Sequence, residues 1–144
     1  MALNNPRTSS TRLRDSDPDS KIGIVLPIRS GQGGFFKQSS TLIEQTLSNM
    51  KNLLLTVKGE RLGQPTFGSN IYNILFENFD VGFTKKLEDA IKDSVATWLP
   101  HVLINNLIVK ASPDTNTVSI SVGFSIITDP NATESLTLNL RRAI

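Results

Sequence analysis

Residues 53–70 read LLLTVKGERLGQPTFGSN, and no other stretch restricts the fold so sharply. An apolar helix end runs into a glycine, an adjacent acid and base, a proline and then Phe-Gly. Gly59 is free to take positive φ and stop a helix, Pro65 fixes φ and cannot continue one, and Gly68 permits a second sharp bend. A helix must therefore close near Val57 and the chain must turn at once. Leu75-Phe76-Glu77 follows, with the apolar pair Leu75 and Phe76 expected to dock on a core.

On either side of this turn the apolar period is that of a helix. Ile43, Leu47, Met50, Leu54 and Val57 recur in steps of four and three, a single helical stripe. Thr41 and Glu44 match a capping box, so this helix begins there and ends near Val57. Phe83, Leu87, Ile91, Val95 and Trp98 mark a second amphipathic helix, closed by Pro100. Its outer face offers Lys85–Asp89 and Glu88–Lys92 at i,i+4 spacing.

Beyond Pro100 the period drops to two. Residues 102–111 are β-branched and apolar, with Leu107, Val109 and Ala111 on one face, and Pro113-Asp114-Thr115-Asn116 has turn chemistry. Val118, Ile120, Val122, Phe124 and Ile126 then alternate with Ser119, Ser121, Gly123 and Ser125, as in a strand with one face buried. Residues 128–135 read as a polar loop, and Leu136, Leu138 and Leu140 mark a last strand. The predicted class is α+β: two main helices packed on one face of a small antiparallel sheet, preceded by an extended N-terminal arm. Residues 1–34 form the arm and linker and residues 35–144 the folded domain. Within the arm, Ile22 to Ile28 is a short apolar segment broken by Pro27, at most an edge strand or a docking strip. Residues 30–34 (Ser-Gly-Gln-Gly-Gly) are a joint, since no Lys-Ser/Thr pair follows to make them a phosphate loop.

Composition removes several function classes. At 144 residues with 38% hydrophobic content, the chain is long enough for one domain with a core. No apolar run approaches the roughly 20 residues of a bilayer span, and residues 1–20 carry no apolar leader. The absence of cysteine excludes disulfides and thiolate chemistry. Of the net charge of +2, the basic excess lies in residues 1–37, where six bases face three acids. Asp15, Asp17 and Asp19 interrupt those bases and no aromatics interleave with them within the arm, residues 1–34, so the arm suits a protein partner better than nucleic acid.

Catalytic chemistry is sparse. His101 is the one histidine, and no second His and no Cys stands with it as a metal or proton partner, so it reads as a structural or surface residue. Asp15-x-Asp17-x-Asp19 imitates the start of a calcium loop but lacks its glycine and closing glutamate. A glycosidase needs two carboxyls about 5–9 Å apart across a cleft, and Glu60, Glu77 and Asp80 are the acids near the turn. Neither metal nor cofactor is expected. Glu60 and Arg61 are expected to be tied into the turn, Arg61 capping helix-end carbonyls and Glu60 reaching a partner or a backbone N–H. Phe67 and Phe76 are expected in the core, while Trp98 suits either core or interface.

The order L-x-T-x-x-G-E-R, P-x-F-G-S, L-F-E, then a second helix ending in Trp before a Pro, resembles the small baseplate wedge proteins of contractile phage tails and of other contractile injection machines. The resemblance spans about residues 35–140, and its motif positions are Gly59, Glu60, Arg61, Pro65, Phe67, Gly68, Leu75, Phe76, Trp98 and Pro100. It implies a non-enzymatic structural subunit of the virion tail baseplate, assembled in the host cytoplasm. Such a subunit sits at the top of the wedge around the tail tube and initiates assembly of the first sheath ring. Implied partners are other wedge proteins, through the arm and residues 98–101, and the sheath protein, through a sheet edge. Neither nucleic acid nor membrane is implied. Residues 118–127, polar on one face and beside an open edge, suit strand addition. One departure stands out: where the family typically reads Glu-Pro-Arg after the aromatic, this chain has Leu99-Pro100-His101, losing both charges. A more apolar contact at Leu99, or a changed partner, would follow. Two other readings attach to the same domain type: a cell-wall hydrolase, which some relatives are labelled, and an anti-adaptor that blocks regulated proteolysis.

Overall fold

The computed structural model describes residues 21–31, 35–78 and 80–141. The arm expected at residues 1–20, its acids Asp15, Asp17 and Asp19, and most of the glycine joint lie outside the described residues. The elements in chain order are β1 (Gly23–Ile24), β2 (Gln38–Ser39), α1 (Leu42–Leu55), α2 (Ile71–Leu75), α3 (Phe83–Trp98), β3 (Val102–Ser112), β4 (Thr117–Ile126) and β5 (Asp129–Arg141). The chain is thus α+β, with antiparallel sheets. It divides into two compact units, one through Ser48 and one from Asn49 onward, with the division falling inside α1.

In the first unit, β1 and β2 pair antiparallel, Gly23 opposite Ser39 and Ile24 opposite Gln38. Backbone bonds from Ile22 to Ser39, Val25 to Lys37 and Lys37 to Arg29 extend this pairing into a hairpin. The apolar segment at Ile22 to Ile28 is therefore a strand of two residues followed by irregular chain. The expected capping box starts α1: the Glu44 N–H donates to Thr41 Oγ1 at 3.3 Å and Glu44 Oε2 accepts from the Ser40 N–H at 3.3 Å. Burial in the first half of α1 falls on Thr46 and Ser48, whose hydroxyls donate back to the carbonyls of Leu42 and Glu44. Ser48 Oγ also accepts from the Leu26 N–H.

In the second unit, Met50, Leu53 and Leu54 on the rest of α1 are buried, as are Phe83, Leu87, Ile91 and Val95 on α3. The second helix begins and ends at the predicted residues, Phe83 and Trp98. Among the described residues the ion pairs made by this helix are Lys86 with Glu77 at 2.8 Å and with Asp80 at 3.9 Å rather than i,i+4 pairs. The short helix α2 places Ile71, Ile74 and Leu75 in the core. Phe76 ends up 61% exposed, so only Leu75 of the expected docking pair is buried. Phe76 lies just past the helix, as its C-cap, and so off the face that α2 buries.

The sheet has the order β3-β4-β5. Val118, Ile120, Val122, Phe124 and Ile126 fill its core face together with Leu136, Leu138 and Leu140, and α3 lies against β3. On the other face Ser119 Oγ donates to Asn139 Oδ1 at 2.8 Å. Two expectations are corrected here. Residues 129–135 are the start of β5 rather than a loop, because ladder bonds to β4 use backbone groups that are indifferent to polar side chains. And β4 is the central strand, bonded on both sides, so the open edges belong to β3 and β5.

Candidate functional site

The segment from Thr56 to Ser69 folds into a closed loop that the sequence marks by its glycines. Gly59 has φ +93° and Gly68 φ +117°, both in the region that disfavours a Cβ. At Gly68 a Cβ would also lie 2.5 Å from the carbonyl oxygen of Thr56. Loop closure is by backbone: the Gly59 N–H donates to Pro65 O at 2.8 Å, and the Ser69 N–H donates to Thr56 O at 2.9 Å. Inside the loop, Gln64 bonds back to Arg61 and Phe67 back to Gln64. Val57 and Ser69 form a parallel bridge.

Glu60 does what the turn requires of it. Its Oε2 accepts from the Val57 N–H at 3.1 Å while its own N–H donates to Val57 O, so one residue serves both backbone groups of another. Arg61 is not the carbonyl cap expected of it. That duty falls to Ser69, which is fully buried and donates from Oγ to the Leu54 carbonyl at 2.7 Å. The reason is reach. Ser69 returns beside the helix end through its parallel bridge to Val57, with its buried hydroxyl on the Leu54 carbonyl, whereas Arg61 is exposed.

The Arg61 guanidinium instead lies over the Phe67 ring, 4.1 Å from its centroid. Phe67 in turn meets Trp98 edge to face, with centroids 5.2 Å apart and planes at 67°. Phe67 is thus half-buried in a stack rather than enclosed in the core, and Trp98, also half-buried, ties the end of α3 to the loop after α1. A cation–π contact on an exposed arginine contributes about 0.5–1 kcal/mol and the ring pair a similar amount. Pro65 is exposed and serves through its carbonyl.

At the other end of the motif, Leu99 is only 8% exposed, and its N–H donates to Val95 O while its carbonyl takes the Val102 N–H. Its side chain belongs to the core and is not on offer to a partner. Pro100 and His101 are exposed, and the His101 carbonyl accepts from the Ile127 N–H at 3.0 Å. The exposed apolar groups beside this corner are Leu103 and Ile127, which the motif reading passed over. The sequence carried no signal for Leu103: by alternation it is in phase with the inward positions Leu107, Val109 and Ala111, and only a bulge between Ile104 and Asn106 resets the register and turns it outward.

The acids considered for hydrolysis are engaged elsewhere. Glu77 Oε2 binds Lys86 Nζ at 2.8 Å and Asp80 lies 3.9 Å from the same nitrogen. The hydrogen bond that the Lys86 ammonium donates to Glu77, then the charge of Asp80, raises the Lys86 pKa above its ordinary value. Among the described residues no group of three His, Cys, Asp or Glu side chains could hold a metal ion, and no helix is long and apolar enough to cross a membrane.

Residues 40–131, which contain the whole loop, both main helices and the stack, match the family described as baseplate wedge protein gp25. The chain is 33% identical over 100 residues to the baseplate wedge protein gp25 of Enterobacteria phage T4, covering 65% of this chain and 74% of that protein. Its fold is similar to a crystal structure from Geobacter sulfurreducens of a protein provisionally named a tail lysozyme, at a TM-score of 0.66 and 18% identity, over 74% of this chain and 96% of the other. It is also similar to a chain of the baseplate complex of the type VI secretion system, at a TM-score of 0.57 and 16% identity, over 71% and 95% of the two chains. The motif order, the closed loop and the match over residues 40–131 agree, and the chain belongs to the family of baseplate wedge proteins.

Proposed function

We propose that this chain is a non-enzymatic structural subunit of a contractile tail baseplate, that it connects the wedge to the first ring of sheath, and that it starts sheath assembly. Its location is the tail baseplate of the virion, and its neighbours there are other baseplate proteins. The observation that carries the sheath reading is the sheet with two edges, β3 and β5, each hydrogen-bonded on one side within it. Such an edge accepts an extended segment through main-chain bonds. Of the two, β3 is blunted by its bulge and by Lys110, features that discourage strand addition. The second half of β5, residues 135–141, pairs with β4 in unbroken register and is anchored by Leu136, Leu138 and Leu140. We assign a sheath segment to that edge.

The wedge contact is assigned to the arm and to the surface around residues 98–101, where the side chains available are Pro100, His101, Leu103 and Ile127. Deleting residues 1–20 should leave melting unchanged and reduce incorporation into baseplates. The decisive experiment grows sheath on isolated baseplates with and without this chain, scored by electron microscopy. Sheath should extend only where the chain is present; equal extension without it overturns the initiator role. Clearing of peptidoglycan by the purified chain, abolished in Glu60→Gln or Glu77→Gln, would overturn the non-enzymatic reading.

A further inference from the structure

The hairpin of residues 21–39 carries a surface that the motif does not use. It lies outside residues 40–131, the part matched to the family. Ile22, Ile24, Ile28, Phe35 and Phe36 are all exposed, Phe35 at 92% and Ile28 at 62%. By strand alternation Ile22 and Ile24 share one face of β1, while Gly23 and the fully buried Ser39 opposite it face the other way. Residues 21–43 contain no Asp or Glu. Their cations are Lys21, Arg29 and Lys37, and Lys37 alone is paired, with Glu44 at 3.5 Å. The hairpin therefore presents exposed apolar side chains together with two exposed positive charges, Lys21 and Arg29.

We infer that this surface docks an amphipathic segment of a neighbouring baseplate subunit, one whose apolar face is flanked by acidic residues that meet Lys21 and Arg29. The inference rests on the chain being a baseplate subunit and is independent of its role toward the sheath. Charge complementarity selects this occupant over the others. A second copy of the hairpin would oppose like charges. The chain's own residues 15–20 supply acids but no apolar side chain to cover the isoleucines and phenylalanines. An anionic bilayer is held by clusters of about four to eight Lys and Arg, and two are too few.

The test places a photoreactive phenylalanine analogue at position 24 in the full chain and irradiates assembled baseplates, reading the crosslinked peptide by mass spectrometry. The expected product joins position 24 to an acid-bearing amphipathic segment of another subunit. Its yield should fall several-fold in the Lys21→Glu, Arg29→Glu double variant and recover when acids of the captured segment are changed to lysine. A crosslink to a second copy, to residues 1–20, or to added anionic phospholipid vesicles, or no crosslink in assembled baseplates, overturns the proposal. Sheath extension is scored on the same samples. Loss of the crosslink with normal sheath growth sinks this inference alone, whereas a retained crosslink with no dependence of sheath on the chain sinks the initiator role alone.

Discussion

The loop at residues 56–69 and the hairpin at residues 21–39 use much the same residues, Gly, Pro, Phe and a few cations, to opposite ends. In the loop the groups that close it are used internally: Glu60 on Val57, Ser69 on Leu54, Gly59 on Pro65, Arg61 over Phe67. In the hairpin the two phenylalanines are 92% and 50% exposed and two of three cations are unpaired. Internal satisfaction makes a segment rigid by itself. Leaving apolar area outside makes it dependent on what it meets. The loop is built to hold the domain in shape, and the hairpin is built to be finished by something else.

Substitutions can separate the two designs, beginning where the effect is greatest. Gly68→Val should destabilise by about 3 kcal/mol, since it adds left-handed strain to a collision with the Thr56 carbonyl, and thermal melting measures it. Gly59→Ala meets nothing within 4 Å and should lose only the strain, about 1–2 kcal/mol. Equal losses at the two glycines would mean that close approach is not what fixes the loop. Ser69→Ala leaves the buried Leu54 carbonyl without its hydroxyl and should lose about 1–2 kcal/mol in denaturant unfolding.

Arg61→Ala removes a cation–π contact rather than a buried cap, so the expected loss is smaller, about 0.5–1 kcal/mol, with a change in Trp98 fluorescence through Phe67. A loss above about 2 kcal/mol would restore the carbonyl-cap reading. Smallest of all, Phe35→Ser with Phe36→Ser should leave the melting temperature of the isolated chain nearly unchanged, as Phe35 is almost wholly in water and Phe36 half so. The same pair should reduce incorporation into baseplates. A large drop in melting would place the hairpin with the self-sufficient loop and end the contrast.

Local chemistry was legible in the sequence. The capping box at Thr41 and Glu44, the span of α3, the outward and inward faces of β4, and the positive φ of Gly59 and Gly68 all depend on neighbours within a few residues. The site was half legible. Its residues were found because Gly, Pro and Phe in that order leave few backbone routes, but their partners were misassigned where a contact joins distant parts of the chain. Ser69 rather than Arg61 caps α1, and Phe67 leans on Trp98 instead of the core, because both contacts depend on how the loop returns. The start of β5 was hidden by its polar composition, since strand pairing is a backbone event that composition only biases.

By itself the sequence determined the period of each main element, the position of the sharp turn and the family to which that turn belongs. The first two follow from steric rules acting between near neighbours, and the third from the resemblance carried by the motif order. Tertiary structure alone decided that β4 is the central strand, that Leu99 is buried while Leu103 and Ile127 are exposed, and which polar group reaches the end of α1. Those outcomes depend on register and on the direction of chain return, and a bulge of one residue at Asn105 is enough to move a side chain from one face to the other.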